Sequence, residues 1–142
     1  RLKLKRFDTK FPLPASKDGA ACFDLMSRET VTIPPGKIKA VPQNIALKVP
    51  KGYALLLFAR SSTVHKHGLM LANGVGVLDP FYNGDEDECL GFFLNITDKP
   101  VTVRAGDRIL QGMIVKSEPV SWREVESLGV GYGGYKHSGS LQ

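Results

Sequence analysis

Chemistry is densest in residues 59–84, ARSSTVHKHGLMLANGVGVLDPFYNG. An Arg-Ser-Ser turn opens the stretch, and a basic run and a glycine-rich apolar segment follow. A carboxylate, Asp79, and an aromatic, Tyr82, close it. A second isolated acid, Asp24, sits in the small-residue apolar run AACFDL. An acid there is costly unless it is paired or lies at a strand end. Asp24 is therefore open between a turn acid and a carboxylate aimed into a cleft. The acids at 85–88, DEDE, invite a metal site. Consecutive side chains on a loop or strand point in different directions, so a solvated loop is the expectation. Residues 129–139, GVGYGGYKHSG, are dense in glycine, which loses the most backbone entropy on ordering. They read as a disordered tail or as a lid whose amides close on phosphates, and Tyr135, His137 and Ser138 favour the lid.

Such loop residues need a rigid scaffold, and the rest of the chain reads as one. Its 142 residues suit one domain with its own core. Apolar content of 42% and charged content of 23% exclude disorder. Fifteen glycines and nine prolines punctuate short alternating segments, which points to an all-β fold. Strand, glycine turn and strand recur at residues 31–41, 45–58 and 101–115, a spacing that suggests a jelly-roll-like sandwich. Residues 68–78 predict a β-hairpin with its tip near Ala72-Asn73-Gly74. Residues 90–96 are apolar on both faces and predict a central strand. Residues 62–66 and 122–128 are the helical candidates, the first a single turn capped by Ser61 or Ser62.

The two cysteines, Cys22 and Cys89, read as free thiols in a reducing compartment. No apolar run approaches membrane-spanning length, so no membrane partner is expected. No signal peptide is visible, and the start at Arg1 leaves an upstream targeting segment open. An intracellular location is expected, with the compartment unknown. Net charge is +5, with Arg1, Lys3, Lys5, Arg6 and Lys10 crowded at one end. That run reads as a solvated strand edge, and without interleaved aromatics no nucleic-acid partner is expected. The overall charge favours an anionic ligand.

Five stretches in order resemble the motifs of one family, the trimeric all-β dUTPases (deoxyuridine triphosphate nucleotidohydrolases). They are PLPASKDGAACFDL, ARSS, NGVGVLDPFYNG, GDRILQG and GGYKHSG, and they span nearly the whole chain. The resemblance implies an all-β, distorted jelly-roll-like (β-clip) sandwich with one short helix. It implies a β domain over residues 1–128 and a flexible glycine-rich lid over 129–142. The implied reaction is magnesium-assisted attack of water on the α-phosphate of dUTP, giving dUMP and diphosphate and limiting uracil incorporation into DNA.

By the same resemblance, Asp79 activates the water and Asp24 holds Mg2+ through water. Arg60, Ser61, Ser62 and Gln111 contact the phosphates. Arg108 could join them or pair within the turn of Asp107. Asn73, Gly74 and Gly76 present backbone to uracil, Leu78 walls the slot, and Tyr82 packs on the sugar and excludes a 2′-hydroxyl. Tyr135 stacks over uracil, with His137 and Ser138 near the terminal phosphate. The family implies a homotrimer with shared active sites. Departures from the pattern are Cys22 for a first-motif glycine, Val130 or Tyr132 where the fifth motif has arginine, and Lys136 for a glycine. Two alternatives stay open: a dCTP deaminase-like enzyme of the same fold, which needs a glutamate near residues 90–95, and a non-catalytic nucleotide-sensing module.

Overall fold

A computed structural model describes residues 1–133. Its strands are β1 (Leu4–Arg6), β2 (Phe23–Asp24), β3 (Val31–Ile33), β4 (Ile38–Pro42), β5 (Ile45–Leu47) and β6 (Tyr53–Ala59). Then come β7 (Leu69–Leu71), β8 (Gly76–Leu78), β9 (Leu90–Asn95), β10 (Val101–Val103) and β11 (Leu110–Lys116). A four-stranded sheet has the order β2-β11-β6-β8 and a three-stranded sheet the order β4-β9-β7. The pairs β1-β5 and β10-β3 complete the set. The architecture is all-β and jelly-roll-like, as expected.

Every pairing is antiparallel, and among the described residues no strand pairs with its neighbour in sequence. Each recurring strand–turn–strand unit is a crossing between sheets. The chain leaves β3 at Pro34-Pro35-Gly36 and joins a different sheet as β4. The same happens from β5 to β6 and from β10 to β11. The segment over residues 68–78 differs from expectation in the same way. Its two arms, β7 and β8, pair with β9 and β6 and not with each other. Asn73-Gly74 supplies the tight turn, with Gly74 at φ +73°, but the turn is a corner joining two sheets.

The core lies between these sheets. Leu25, Ile33, Leu55, Leu57, Leu69, Phe93, Ile109 and Leu110 are essentially inaccessible, each such side chain contributing about 1.5–3 kcal/mol. β9 is central in its sheet, as its apolar pattern predicts. Gly112 on β11 is required by packing, since a Cβ there would lie 2.8 Å from the Phe23 ring and 3.1 Å from Leu55.

The one helical turn among the described residues, Thr63–His67, is wound as a π-helix. Its anchor is Thr63, whose buried hydroxyl donates to Ile109 O at 2.8 Å, and Gly68 ends it in the left-handed region at φ 65°. Neither predicted cap forms: Ser62 is itself helical and makes no side-chain cap bond. The second helical candidate, residues 122–128, is not helical. Residues 117–132 run without strand or helix and are exposed, Trp122 at 91%. A seven-residue helix with nothing to pack against is too short to sustain itself. No helix among the described residues is long and apolar enough to cross a membrane.

Candidate active site

Two groups of candidate residues form, at opposite ends of the four-stranded sheet. The first is built where β2, β11 and β6 run side by side. Register places Asp24 opposite Gln111 and Gln111 opposite Phe58. Arg60 follows β6 directly, and its Nε lies 3.2 Å from Asp24 Oδ1. Its Nη1 donates to Arg108 O at 2.9 Å, and Gln111 Nε2 donates to Ala59 O at 3.2 Å. Ser61 is exposed and Ser62 half-buried at the start of the helical turn. A cavity of about 400 Å3 opens beside them, lined by Ser16, Lys17, Cys22, Asp24 and Arg108. Asp24 is therefore a paired acid at a strand end, and a cleft opens beside it. Arg108 makes no ion pair among the described residues; Asp107 Oδ2 instead accepts from Arg104 N at 2.9 Å.

The second group sits around the corner between β7 and β8. Asn73, Gly76, Leu78 and Tyr82 line one cavity of about 350 Å3, together with Leu57, Leu90 and Phe92. Gly76 faces Leu57 across the β6–β8 pair, where a Cβ would lie 3.0 Å from the Leu57 Cβ. Asp79 follows β8 and is exposed. Its Oδ1 accepts from Phe81 N at 2.9 Å and its carbonyl from Tyr82 N at 3.0 Å, which fixes the turn that presents Tyr82. The Tyr82 hydroxyl donates to Glu88 O at 2.8 Å. Burial, then the charges of Asp87, Cys89 and Glu88, push the Tyr82 phenol above its ordinary pKa, so it stays protonated as a donor.

The two carboxylates, Asp24 and Asp79, do not meet within one chain. Leu78 pairs with Leu55, whereas Gln111 pairs with Phe58. The offset along β6, with three strand spacings across the sheet, puts Asp79 and Asp24 roughly 19 Å apart at the backbone. That is too far for both carboxylates to serve one phosphorus.

The dUTPase family model matches residues 9–139. A deoxyuridine 5′-triphosphate nucleotidohydrolase of Shewanella oneidensis is 38% identical, with 95% of this chain and 91% of that protein covered. Its counterpart in Corynebacterium diphtheriae is 37% identical, covering 96% and 91%.

This chain belongs to the dUTPase family.

A crystal structure of the Streptococcus mutans dUTPase superposes with a TM-score of 0.75 at 31% identity, covering 84% of this chain and 98% of that one. A dUTPase of Staphylococcus bacteriophage 80alpha, at 22% identity, shares the fold with a TM-score of 0.80. Of the family-matched positions, Asp24, Arg60, Ser61, Ser62 and Gln111 fall in the first group, and Asn73, Gly76, Leu78, Asp79 and Tyr82 in or beside the second. Tyr135, His137 and Ser138 lie outside the described residues.

Sequence reasoning missed three features. Phe92 and Leu90 wall the second cavity; their signal was a β9 strand too apolar on its outward face. Cys22 lies in the first cavity, beside Asp24. Glu88 is the third. The acidic run is solvated at Asp85 and Glu86, but Glu88 is buried at 8% exposure. Its carboxylate takes Arg28 in a two-pronged pair at 2.8 and 2.9 Å. Glu88 is thereby committed to structure, and the glutamate that a deaminase needs is not free here.

Proposed function

We propose that this chain is a dUTP diphosphatase that works as a homotrimer with each active site shared between subunits. It hydrolyses dUTP to dUMP and diphosphate. The observation that carries the shared site is the separation within one chain of Asp24, beside Gln111 on β11, from Asp79, which follows β8 beyond Leu78. Bringing the slot of one subunit to the phosphate group of another completes the set, and closed symmetry repeats it.

The residues then divide the work. Backbone at Asn73 and Gly76 reads the uracil edge, where a base with the wrong donor pattern leaves buried polar groups unpaired. Tyr82 packs on the deoxyribose and leaves no room for a 2′-hydroxyl. Arg60, Ser61, Ser62 and Gln111 hold phosphate oxygens. Asp79 accepts a proton from the attacking water; one of its oxygens is already fixed by Phe81 N, which orients the other.

The donor set at Asp24 fits magnesium. Among the described residues no three His, Cys, Asp or Glu side chains gather to hold a metal. Magnesium keeps several waters and binds through one or two carboxylates plus substrate phosphates, and Asp24 offers one carboxylate at an open cavity. Bound there, the ion would neutralise charge on the phosphates. A structural Mg(II) ion is described in a phage phi11 dUTPase of the same fold.

The test is complementation. Asp24→Asn and Asp79→Asn chains are each expected to lose activity by about a hundredfold or more. Co-refolded at equal amounts, they should regain about a quarter of wild-type diphosphate release, because random assortment in a closed ring rebuilds that share of complete sites. A mixture that stays inactive although mixed oligomers form would overturn the shared site. Equal turnover of dUTP, dCTP, dTTP and UTP by the wild type would overturn the substrate.

A further inference from the structure

Glu88 works at both of its ends. Its side chain is 11% exposed, and Oε2 accepts from Arg28 Nε at 2.8 Å and from Asn44 N at 2.8 Å, while Oε1 accepts from Arg28 Nη2 at 2.9 Å. Its main-chain carbonyl is the acceptor for the Tyr82 hydroxyl. The partners are themselves fixed. Arg28 pairs with Glu29 at 3.2 Å and stands 5.9 Å from the centre of the Phe7 ring. Asn44 adopts φ 74°, its Oδ1 accepting from Asp8 N at 2.7 Å and its Nδ2 donating to Asp8 O at 3.0 Å. Gln43 N donates to Cys89 O and Cys89 N to Ile45 O, at 2.9 and 2.8 Å. The carbonyl that receives Tyr82 is thus laced to the β4–β5 connection through side chain and backbone together.

A two-pronged guanidinium–carboxylate pair fixes orientation more than it adds stability. Packing alone would be served as well by apolar residues at 28 and 88. What the charged pair adds is a rigid seat for the far end of the Tyr82 ring. That ring is partly exposed and walls the cavity shared with Asn73 and Gly76. A ring anchored only at its Cβ can tilt; one anchored also at its hydroxyl cannot, and steric exclusion by a ring depends on its not tilting.

We propose that Arg28 and Glu88 are positioning residues that hold Tyr82 in place and thereby set the preference for deoxyribonucleotide over ribonucleotide. The proposal rests on Tyr82 being the wall against the sugar. When the pair is broken, the Tyr82 ring gains freedom and a 2′-hydroxyl becomes tolerable.

The experiment compares kcat/KM for dUTP and for UTP in five proteins: wild type, Tyr82→Phe, Tyr82→Ala, the double variant Arg28→Met/Glu88→Gln, and that double variant combined with Tyr82→Phe. The double variant removes both charges, so no lone ion is left buried. Its dUTP/UTP ratio is expected to fall about two- to tenfold, the range of one neutral hydrogen bond, chiefly by a gain on UTP. Tyr82→Phe should give the same fall, and the triple variant no further fall. If the double variant does not fold, Arg28→Lys keeps the charge, breaks the two-pronged geometry and is expected to lower the ratio likewise. A folded double or Arg28→Lys variant with an unchanged ratio, alongside a lowered ratio in Tyr82→Ala, overturns the positioning role and leaves the sugar wall standing. An unchanged ratio in Tyr82→Ala overturns both.

Discussion

Arg60 Nε stands 3.2 Å from Asp24 Oδ1, joining in one ion pair the two side chains assigned to opposite ligands, phosphate and cation. Both side chains are about a third exposed, at 35% and 30%. Exposed pairs contribute about 0–1 kcal/mol to stability, so the pair matters more for where it holds the groups than for the fold. Arg60→Ala is therefore expected to leave the unfolding free energy within about 1 kcal/mol of wild type. Its kcat/KM for dUTP should nonetheless fall by more than about tenfold, since a charge-assisted phosphate contact contributes roughly 1.5–3 kcal/mol. Urea unfolding and steady-state diphosphate release on the same preparation check both halves. A loss of stability without a loss of kcat/KM would remove Arg60 from the phosphate site.

Asp79 is exposed, and its carboxylate is engaged on one oxygen by Phe81 N. Asp79→Asn preserves that acceptor and removes only the base. It is expected to lower kcat by roughly 10²–10⁴, the range for a positioned general base, with KM little changed. Single-turnover hydrolysis, together with binding of a non-hydrolysable dUTP analogue, separates the two. A variant that neither binds nor turns over would show that Asp79 holds the slot together instead.

The strands were legible in the sequence because their patterns are local: residues 31–33 and 101–103 alternate, and residues 90–95 form a continuous apolar run. Their partners were not legible. Pro34-Pro35-Gly36 reads the same whether the chain folds back on itself or crosses to another sheet, and here it crosses. The Asn73-Gly74 turn was correctly placed and its hairpin was not, for the same reason. In the site, Asp24 was ambiguous until Arg60, 36 positions away, was found beside it. Glu88 was hidden by its company: three neighbouring acids made it look solvated, while its partner Arg28 lies 60 residues away. Charge patterning reports only neighbours in sequence, and a buried ion pair is made in space.

Gly112 tests the packing behind the phosphate group. It lies next to Gln111 on β11, and a Cβ there would press the Phe23 ring at 2.8 Å, one residue from Asp24. Gly112→Ala is expected to cost about 1–3 kcal/mol, as overpacking does, read as a lower urea midpoint. Phe23→Leu in the same chain should recover part of it by vacating the ring's space. No recovery would place the strain elsewhere.

Cys89 makes stability depend on alkaline pH with a defined sign. Its side chain is inaccessible, and burial, helped by the charge of Glu88, pushes the thiol from 9.0 up to about 12. In the unfolded chain the thiol ionises near its ordinary value; in the folded chain it stays protonated. Between these values the folded state binds more protons than the unfolded state, so stability falls as pH rises. The loss begins near pH 9 and continues to about 12, with a slope of about 1.4 kcal/mol per pH unit at full effect. Tyrosines and lysines titrate in the same range, so the measurement is a difference: urea unfolding of wild type and Cys89→Ala at pH 8, 9.5 and 10.5. The variant starts less stable, having lost a buried side chain, and the gap is expected to narrow as pH rises. Half-buried Cys22 provides the contrast: it should react with a thiol reagent in the native protein, while Cys89 reacts only on unfolding. A gap that stays constant with pH would mean that the buried thiol ionises as readily as a free one.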